Sequence, residues 1–447
     1  MKPSTSCLWL ILVALGALVL TPAKSTAGMT SEEIQNFDSH KVKAQKGDAE
    51  AQFNLGYCYA EGVGTPKSHD HAASWYLKAA EQDYAKAQYN LGNCFYNGDG
   101  VAKNFATALL WHRKSAERGN PLGQIRIGQF YMNGVIVARD LSQAASWFRK
   151  AAEQGEAEGQ RKLAGCYLIG AGVTKDSIKA AFWFRKAAEQ GSCEAQLILA
   201  QLYQQGEGVD EDFTQAAIWW GKAAEQGDAE GQVKLGICYY EGAGVKKDFA
   251  LAVHWLEKSA IMGNSDAQNR LGVRTLNGEG ITKDATKAIT WFRRSAEQGN
   301  ANAQFNLGCR YYSGEGTKND LESALSWWRK AATQGNAFAQ FNLGKIYHSG
   351  EGVKKDYEQS VIWYRMAADQ GVAEAQNQMG VRYARGEGVT KDEIEAYAYW
   401  NLASEENDDA GKNLIILEEK LSLPRIAAGK KRTKELQGEI EARTAGK

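Results

Sequence analysis

A unit of 36 residues recurs ten times between Asp48 and Asn407, with no insertion or deletion. The copies begin at Asp48, Tyr84, Asn120, Glu156, Ser192, Asp228, Asn264, Asn300, Asn336 and Val372. A fixed period of this size marks a stack of short units, each burying its apolar face on its neighbours. Stacking also frees a chain of 447 residues from the ceiling of about 250–300 residues on a single compact core.

The copy from Asp228 to Gly263 shows how one unit folds. Ala229, Gln232, Leu235, Gly236 and Tyr239 return at three- and four-residue intervals, the spacing that lines one stripe of a helix. This helix A stops at Gly242-Ala243-Gly244, because glycine accepts the left-handed backbone that ends helices. Val245 follows as an apolar plug, and Asp248 stands where the N-cap of a second helix belongs. Helix B then runs through Ala252, Trp255, Ser259 and Ala260 to Gly263.

Three positions define the pattern. Gln stands at 52 and at every thirty-sixth residue up to 376. Gly or Ala stands at 56 and its equivalents up to 380. Trp stands at 75 and its equivalents up to 363, with Tyr399 in the tenth slot. Small residues let helices approach closely, and the indole is expected to fill the space they leave. A row of indoles able to stack on sugars is the alternative. The recurrent Gln is expected to bridge buried backbone groups.

The pattern resembles the Sel1-like repeat family. Ala303-Gln304-Phe305-Asn306-Leu307-Gly308, then Gly314-Glu315-Gly316, Asp320, Ala324 and Trp327 carry the likeness, which covers residues 48–407. Tetratricopeptide repeats are related, with a period of about 34 residues and a proline closing helix B that this chain lacks. The resemblance implies an all-α fold, a right-handed α/α solenoid of ten helix-turn-helix units with helices A on the concave side. It also implies work as an adaptor or scaffold. Some secreted bacterial members are linked to host interaction, and some cysteine-rich ones to penicillin binding. Local departures are Phe95 and Thr275 for the helix-A Tyr, Ile136 for the second loop Gly, and Asp83 for the Gly that closes helix B.

Residues 1–27 read as a secretory signal peptide. Lys2 precedes the apolar run Cys7–Leu20, and Ser25-Thr26-Ala27 sets small residues before a cut at Gly28. The run is short for a membrane span of about 20 residues, although an uncleaved anchor is the alternative. The expected location is the periplasm or outside the cell. Absence of any Asn-x-Ser/Thr leans toward a bacterial source. Residues 28–47 read as an N-terminal capping helix, and 408–447 as C-terminal capping helices.

The sequence offers little chemistry. Equal numbers of basic and acidic residues, 53 each, argue against a nucleic-acid partner. There is no His-Glu-x-x-His, Cys-x-x-Cys or Ser-x-x-Lys, so no enzyme, cofactor or metal is expected. His69-Asp70-His71 reads as an exposed helix start. Cys58, Cys94, Cys166 and Cys238 share one helix-A position. They read as small core hydrophobes, with a disulfide between adjacent copies as the alternative. The paired cysteines of the penicillin-binding relatives are not matched here.

By analogy with tetratricopeptide geometry, three helix-A positions face the groove. Aromatics there suit a protein interface. Phe53, Tyr57, Tyr89 and Tyr96 cluster near the start, and Phe305, Tyr312 and Phe341 near the end, with Tyr240 between. The expected function is an exported, non-enzymatic scaffold that binds a protein or peptide segment, without stable membrane insertion once the signal is cleaved. The alternative is a cell-wall-associated protein that binds or hydrolyses peptidoglycan or β-lactams.

Overall fold

The computed structural model describes residues 29–445; the signal-peptide reading lies outside them. Among the described residues there are 23 α-helices and no strand. Each copy supplies a helix A and a helix B, such as Ala49–Glu61 and His69–Glu81 in the first. The chain divides into two compact units. One runs to Gly231 and takes in 243–245; the other comprises 232–242 and 246 onward.

Local chemistry sets each boundary. The Asp48 carboxylate accepts from Ala51 N at 2.7 Å and starts the first helix A. At the start of helix B the same role falls to Ser68, Asn104, Asp140 and their equivalents to Asp392. Helix A ends on a left-handed glycine, Gly62 at φ 74° for instance. The second loop glycine abuts the start of the previous helix B. A Cβ on Gly172 would collide with the carbonyl of Leu141. Two non-glycine residues keep this geometry, Asp83 at φ 62° and Ile136 at φ 71°. The turn therefore survives both departures, with strain at the β-branched Ile136.

Helices A and B meet where helix A carries its small residue. The side chain filling that space is not the recurrent indole, as expected, but the residue after it. A Cβ on Gly128, Gly272, Gly308 or Gly344 would stand 2.5–2.7 Å from Phe148, Phe292, Trp328 or Tyr364. Phe148, Phe292 and Tyr364 are at most 1% exposed. One residue turns a helix by about 100°, so the preceding Trp points along the seam between copies. Trp147 packs against the cluster that Ala116 of the previous copy forms with Ile127 and Phe130 of its own. Trp75, Trp147 and Trp327 are half-buried. Lys78, Lys150 and Lys330 lie 3.8, 3.9 and 4.0 Å above those rings, closing the outer face by cation–π contact.

The recurrent Gln bridges buried backbone, as expected, and does more. Gln304 Nε2 donates to the Ala296 carbonyl at 3.1 Å, while its Oε1 accepts from Gln334 at 2.7 Å. One amide thus ties the end of the previous helix B, its own helix A and the end of its own helix B. Gln52, Gln124 and Gln340 repeat the arrangement. The second copy departs from it. Arg118 stands where Gln would, and pairs with Asp83 instead. Gln88 Oε1 is left buried without a partner.

The first described helix, Ser31–Gln45, opens with a Thr30–Glu33 capping box and lays Phe37 and Ala44 against Leu55 and Cys58. At the other end Asp408–Glu418 and Leu423–Ala445 close the stack. Gly429 lets the last helix seat against Tyr397, and Leu436 is 2% exposed.

His112 fills the space beside Gly92, where other copies place an aromatic or leucine side chain. Its two ring nitrogens are buried without partners. Burial, aided by Arg126, pushes its pKa down from 6.5 to about 3.

Both strained sites can be tested by substitution. Ile136→Gly should stabilise the protein by about 1 kcal/mol, since the left-handed strain disappears, whereas Gly172→Ala should destabilise it; denaturant midpoints would reverse that order if the loop reading were wrong. The unfolded chain protonates His112 near pH 6.5 while the folded chain resists until about 3. Stability contributed by this group is therefore complete above pH 6.5 and falls between 6.5 and 3, by up to about 1.4 kcal/mol per pH unit. His112→Phe should lose less stability than the native protein between pH 7 and pH 4.5, and equal losses would contradict the assignment.

Candidate functional site

Helix B covers one side of each helix A, which leaves the opposite side as the surface on which copies differ. Of the eight residues expected there, Tyr57 is 50% exposed and Tyr312 39%. The Tyr312 hydroxyl donates to Glu351 of the next copy at 3.1 Å. The other six are half-buried and held by neighbours. Phe53 lies 5.4 Å from Tyr84 and 5.9 Å from Tyr76. Tyr89 lies 5.5 Å from His112, and Tyr96 sits 5.2 Å from Phe105.

Tyr240 is sandwiched between Phe249 at 5.3 Å and the Arg274 guanidinium at 3.7 Å. Phe305 and Phe341 lie against Phe338 at 5.9 Å and Tyr364 at 5.7 Å. The aromatics thus form contacts within and between adjacent copies. Tyr89 and Tyr96 are joined through His112 and Phe130, with ring centroids 5.5–5.9 Å apart, while the other half-buried rings each lie against a helix-B side chain or the adjacent copy.

Sequence reasoning missed Leu122, 43% exposed, and Phe338, 57% exposed. Both occupy the second residue of helix A, where other copies place Glu50, Lys86, Glu158 or Asp266. An apolar residue at a register position otherwise polar was the available signal. Helix B has an exposed row as well. Leu110, Phe182, Ile218 and Ile362, each just before the recurrent Trp, are 51%, 52%, 44% and 49% exposed.

Polar groups link successive helices A across this face. Arg161 pairs with Glu158 of its own helix and Glu194 of the next, each at 2.7 Å. Asn306 donates to Asn269 at 2.9 Å. Arg382, 2% exposed, contacts the His348 ring and pairs with Glu387 at 2.7 Å. His348 is pushed below the usual histidine range by burial and then by the Arg382 charge.

The six described cysteines carry free thiols, so adjacent copies are not cross-linked. Burial pushes Cys94 and Cys166 up to about 12 and Cys238 to about 11. They therefore stay protonated at neutral pH and pack as small apolar groups. His71 stacks on Tyr59 at 4.9 Å and shares a hydrogen bond with the Ser68 hydroxyl. Among the described residues no group of three or more His, Cys, Asp or Glu side chains could hold a metal ion. No described helix is long and apolar enough to cross a membrane.

A model of the Sel1 repeat matches ten successive segments, 49–84 through 373–408. Among solved structures, a protective antigen present in uropathogenic Escherichia coli strains, with an SLR fold, is 36% identical. That match covers 92% of this chain and 97% of the antigen, with a TM-score of 0.65. A Sel1 repeat protein from Oxalobacter formigenes is 32% identical over 74% of this chain and 99% of its own, with a TM-score of 0.52. No functionally curated protein matches the chain. Repeats of this kind typically serve as scaffolds for protein–protein interaction. The chain is a member of the Sel1 repeat family, an all-α solenoid of ten repeats.

Proposed function

We propose that the protein is an exported, non-enzymatic scaffold that holds a protein or peptide segment along the uncovered face of helices A. One contrast carries the reading. The Gln, the Gly or Ala and the loop glycines that set helix A against helix B hardly change from copy to copy, and the gap between the helices takes only large apolar or ring side chains, whereas the uncovered face varies more widely and bears exposed Tyr57, Leu122, Tyr312 and Phe338. Large amphipathic side chains in a polar surround are the usual anchors of protein interfaces. Export rests on the composition of residues 1–27. The description of the 36%-identical relative as a protective antigen fits a protein that reaches the cell exterior.

Phe53, Phe305 and Phe341 pack into apolar clusters, so replacing them would disturb the fold and binding together. Tyr57→Ala with Tyr312→Ala changes the two more exposed rings, Tyr312 also giving up its contact with Trp328 at 5.3 Å and its hydrogen bond to Glu351, so an unchanged thermal midpoint is required of the variant. Immobilised native protein should retain a protein from an envelope and secreted extract of its source. The double variant should retain at least about tenfold less, the scale of losing interface anchors of 1–2 kcal/mol. Equal retention by both would contradict the reading, and retention of wall fragments alone would favour the cell-wall alternative. Mass spectrometry of the protein from its own cells should find Gly28 at the N-terminus; an intact Met1 on cell-associated protein would contradict cleavage.

A further inference from the structure

Helix A of the fourth copy, Ala157–Ile169, carries Gly165 where neighbouring copies have Tyr57, Asn93, Gln129 and Gln201. Packing does not require it. A Cβ on Gly165 would meet nothing within 4 Å, whereas one on Gly159 of the same helix would stand 2.7 Å from the Ala151 Cβ. Glycine inside a helix costs about 1 kcal/mol relative to alanine, and no contact within the protein offsets that loss here. What the glycine leaves is open floor on the uncovered face.

Cations stand beside that floor. Arg161 and Lys162 lie one turn before Gly165 on the same helix. Arg161 uses both nearby carboxylates, Glu158 and Glu194, at 2.7 Å. The Lys162 side chain is 10% exposed and reaches only the Glu158 oxygen already bound by Arg161, at 3.5 Å. Its ammonium is thus withdrawn from water with a shared, distant counter-charge, and burial lowers its pKa from the lysine norm. In the preceding copy Arg126 lies 5.7 Å from the Tyr96 ring centroid, with no carboxylate paired to it among the described residues. Helices A of the second to fifth copies carry Lys86, Arg126, Arg161 and Lys162 against Glu158 and Glu194 on this face. An anionic segment would complete the charge pattern.

We propose that the uncovered faces of helices A in the second to fifth copies bind an acidic, extended peptide segment. Its backbone passes over Gly165 and its carboxylates reach Arg126 and Lys162. The inference deepens the scaffold reading and rests on it. A missing side chain lets a partner backbone approach closely, and the planar fork of Arg126 suits a carboxylate. Packed helices lie about 8–10 Å apart, so four of them span roughly 30 Å, the reach of about ten extended residues.

The test is selection of displayed random peptides of about ten residues on the purified protein, followed by affinity measurement on two variants. Selected peptides should be enriched in Asp and Glu. Arg126→Gln with Lys162→Gln should weaken them at least about tenfold, as expected for losing charge-assisted hydrogen bonds. Gly165→Leu should weaken them comparably while leaving the thermal midpoint unchanged or raised, because its side chain enters open space. That second variant separates blocked binding from damaged folding. Binders without acidic enrichment, or indifferent to both variants, would overturn the acidic-peptide assignment and leave the scaffold reading standing. Recovery of no binder at all would count against both.

Discussion

Close approach of helix A to helix B at one small residue is the constraint on which the rest depends. The gap at Gly128 or Gly344 is filled by the ring of Phe148 or Tyr364, which a Cβ on that glycine would meet at 2.5 or 2.6 Å unless the ring shifted. Other copies settle the same contact differently, with Ala164 and Phe184 at the equivalent positions of the fourth and Gly236 beside Leu256 in the sixth. Once that contact is set, the buried Gln amide fixes where the next copy sits. It bonds simultaneously to the carbonyl end of the previous helix B and to the Gln that ends its own. A buried amide with both ends satisfied specifies geometry more strictly than apolar contact does. The second copy shows how the device adapts. When Arg118 replaces the terminal Gln, Asp83 supplies a charge partner, at the cost of an unsatisfied Gln88 oxygen.

This division of labour frees one face. Helix B, the loops and the inner stripe of helix A are committed to packing. Mutation of the opposite side of helix A touches few of those contacts, so residues there can be tuned to a partner. The face is also stiffened, since Arg161 bridges successive helices through Glu194 and Asn306 reaches Asn269. A pre-organised surface loses less entropy when a flexible segment binds. Gly165 stands out against this order as a helical glycine with no internal contact to justify it.

The 36-residue period made the fold class and the helix pair legible, because repetition separates packing positions from free ones. The caps and loop glycines were legible for the same reason, and the structure keeps left-handed geometry even at Asp83 and Ile136. Rotation about the helix-B axis was harder to read. Trp at the recurrent position looked like the filler because it recurs in all but the tenth copy, yet its neighbour varies among Tyr, His, Phe, Trp and Leu and still fills the gap. The recurrent indole marks the seam between copies, while the gap accepts several rings and a leucine. The uncovered face of helix A was legible only in outline. Its register followed from the helix A pattern, but which aromatics stay exposed depends on the side chains that neighbouring helices lay against them. Phe105 at the start of helix B lies against Tyr96 and Phe338 of the next helix A against Phe305, while Phe338 itself is 57% exposed.

The central claim is that partners meet helix A and that helix B is structural. Side-chain footprinting with a reactive carbene, with and without the bound partner, tests it directly. The account predicts masking of Tyr57, Leu122, Tyr312 or Phe338, with Leu110, Phe182, Ile218 and Ile362 labelled equally in both states. Masking of that helix-B row instead, with the helix-A residues unchanged, would contradict it.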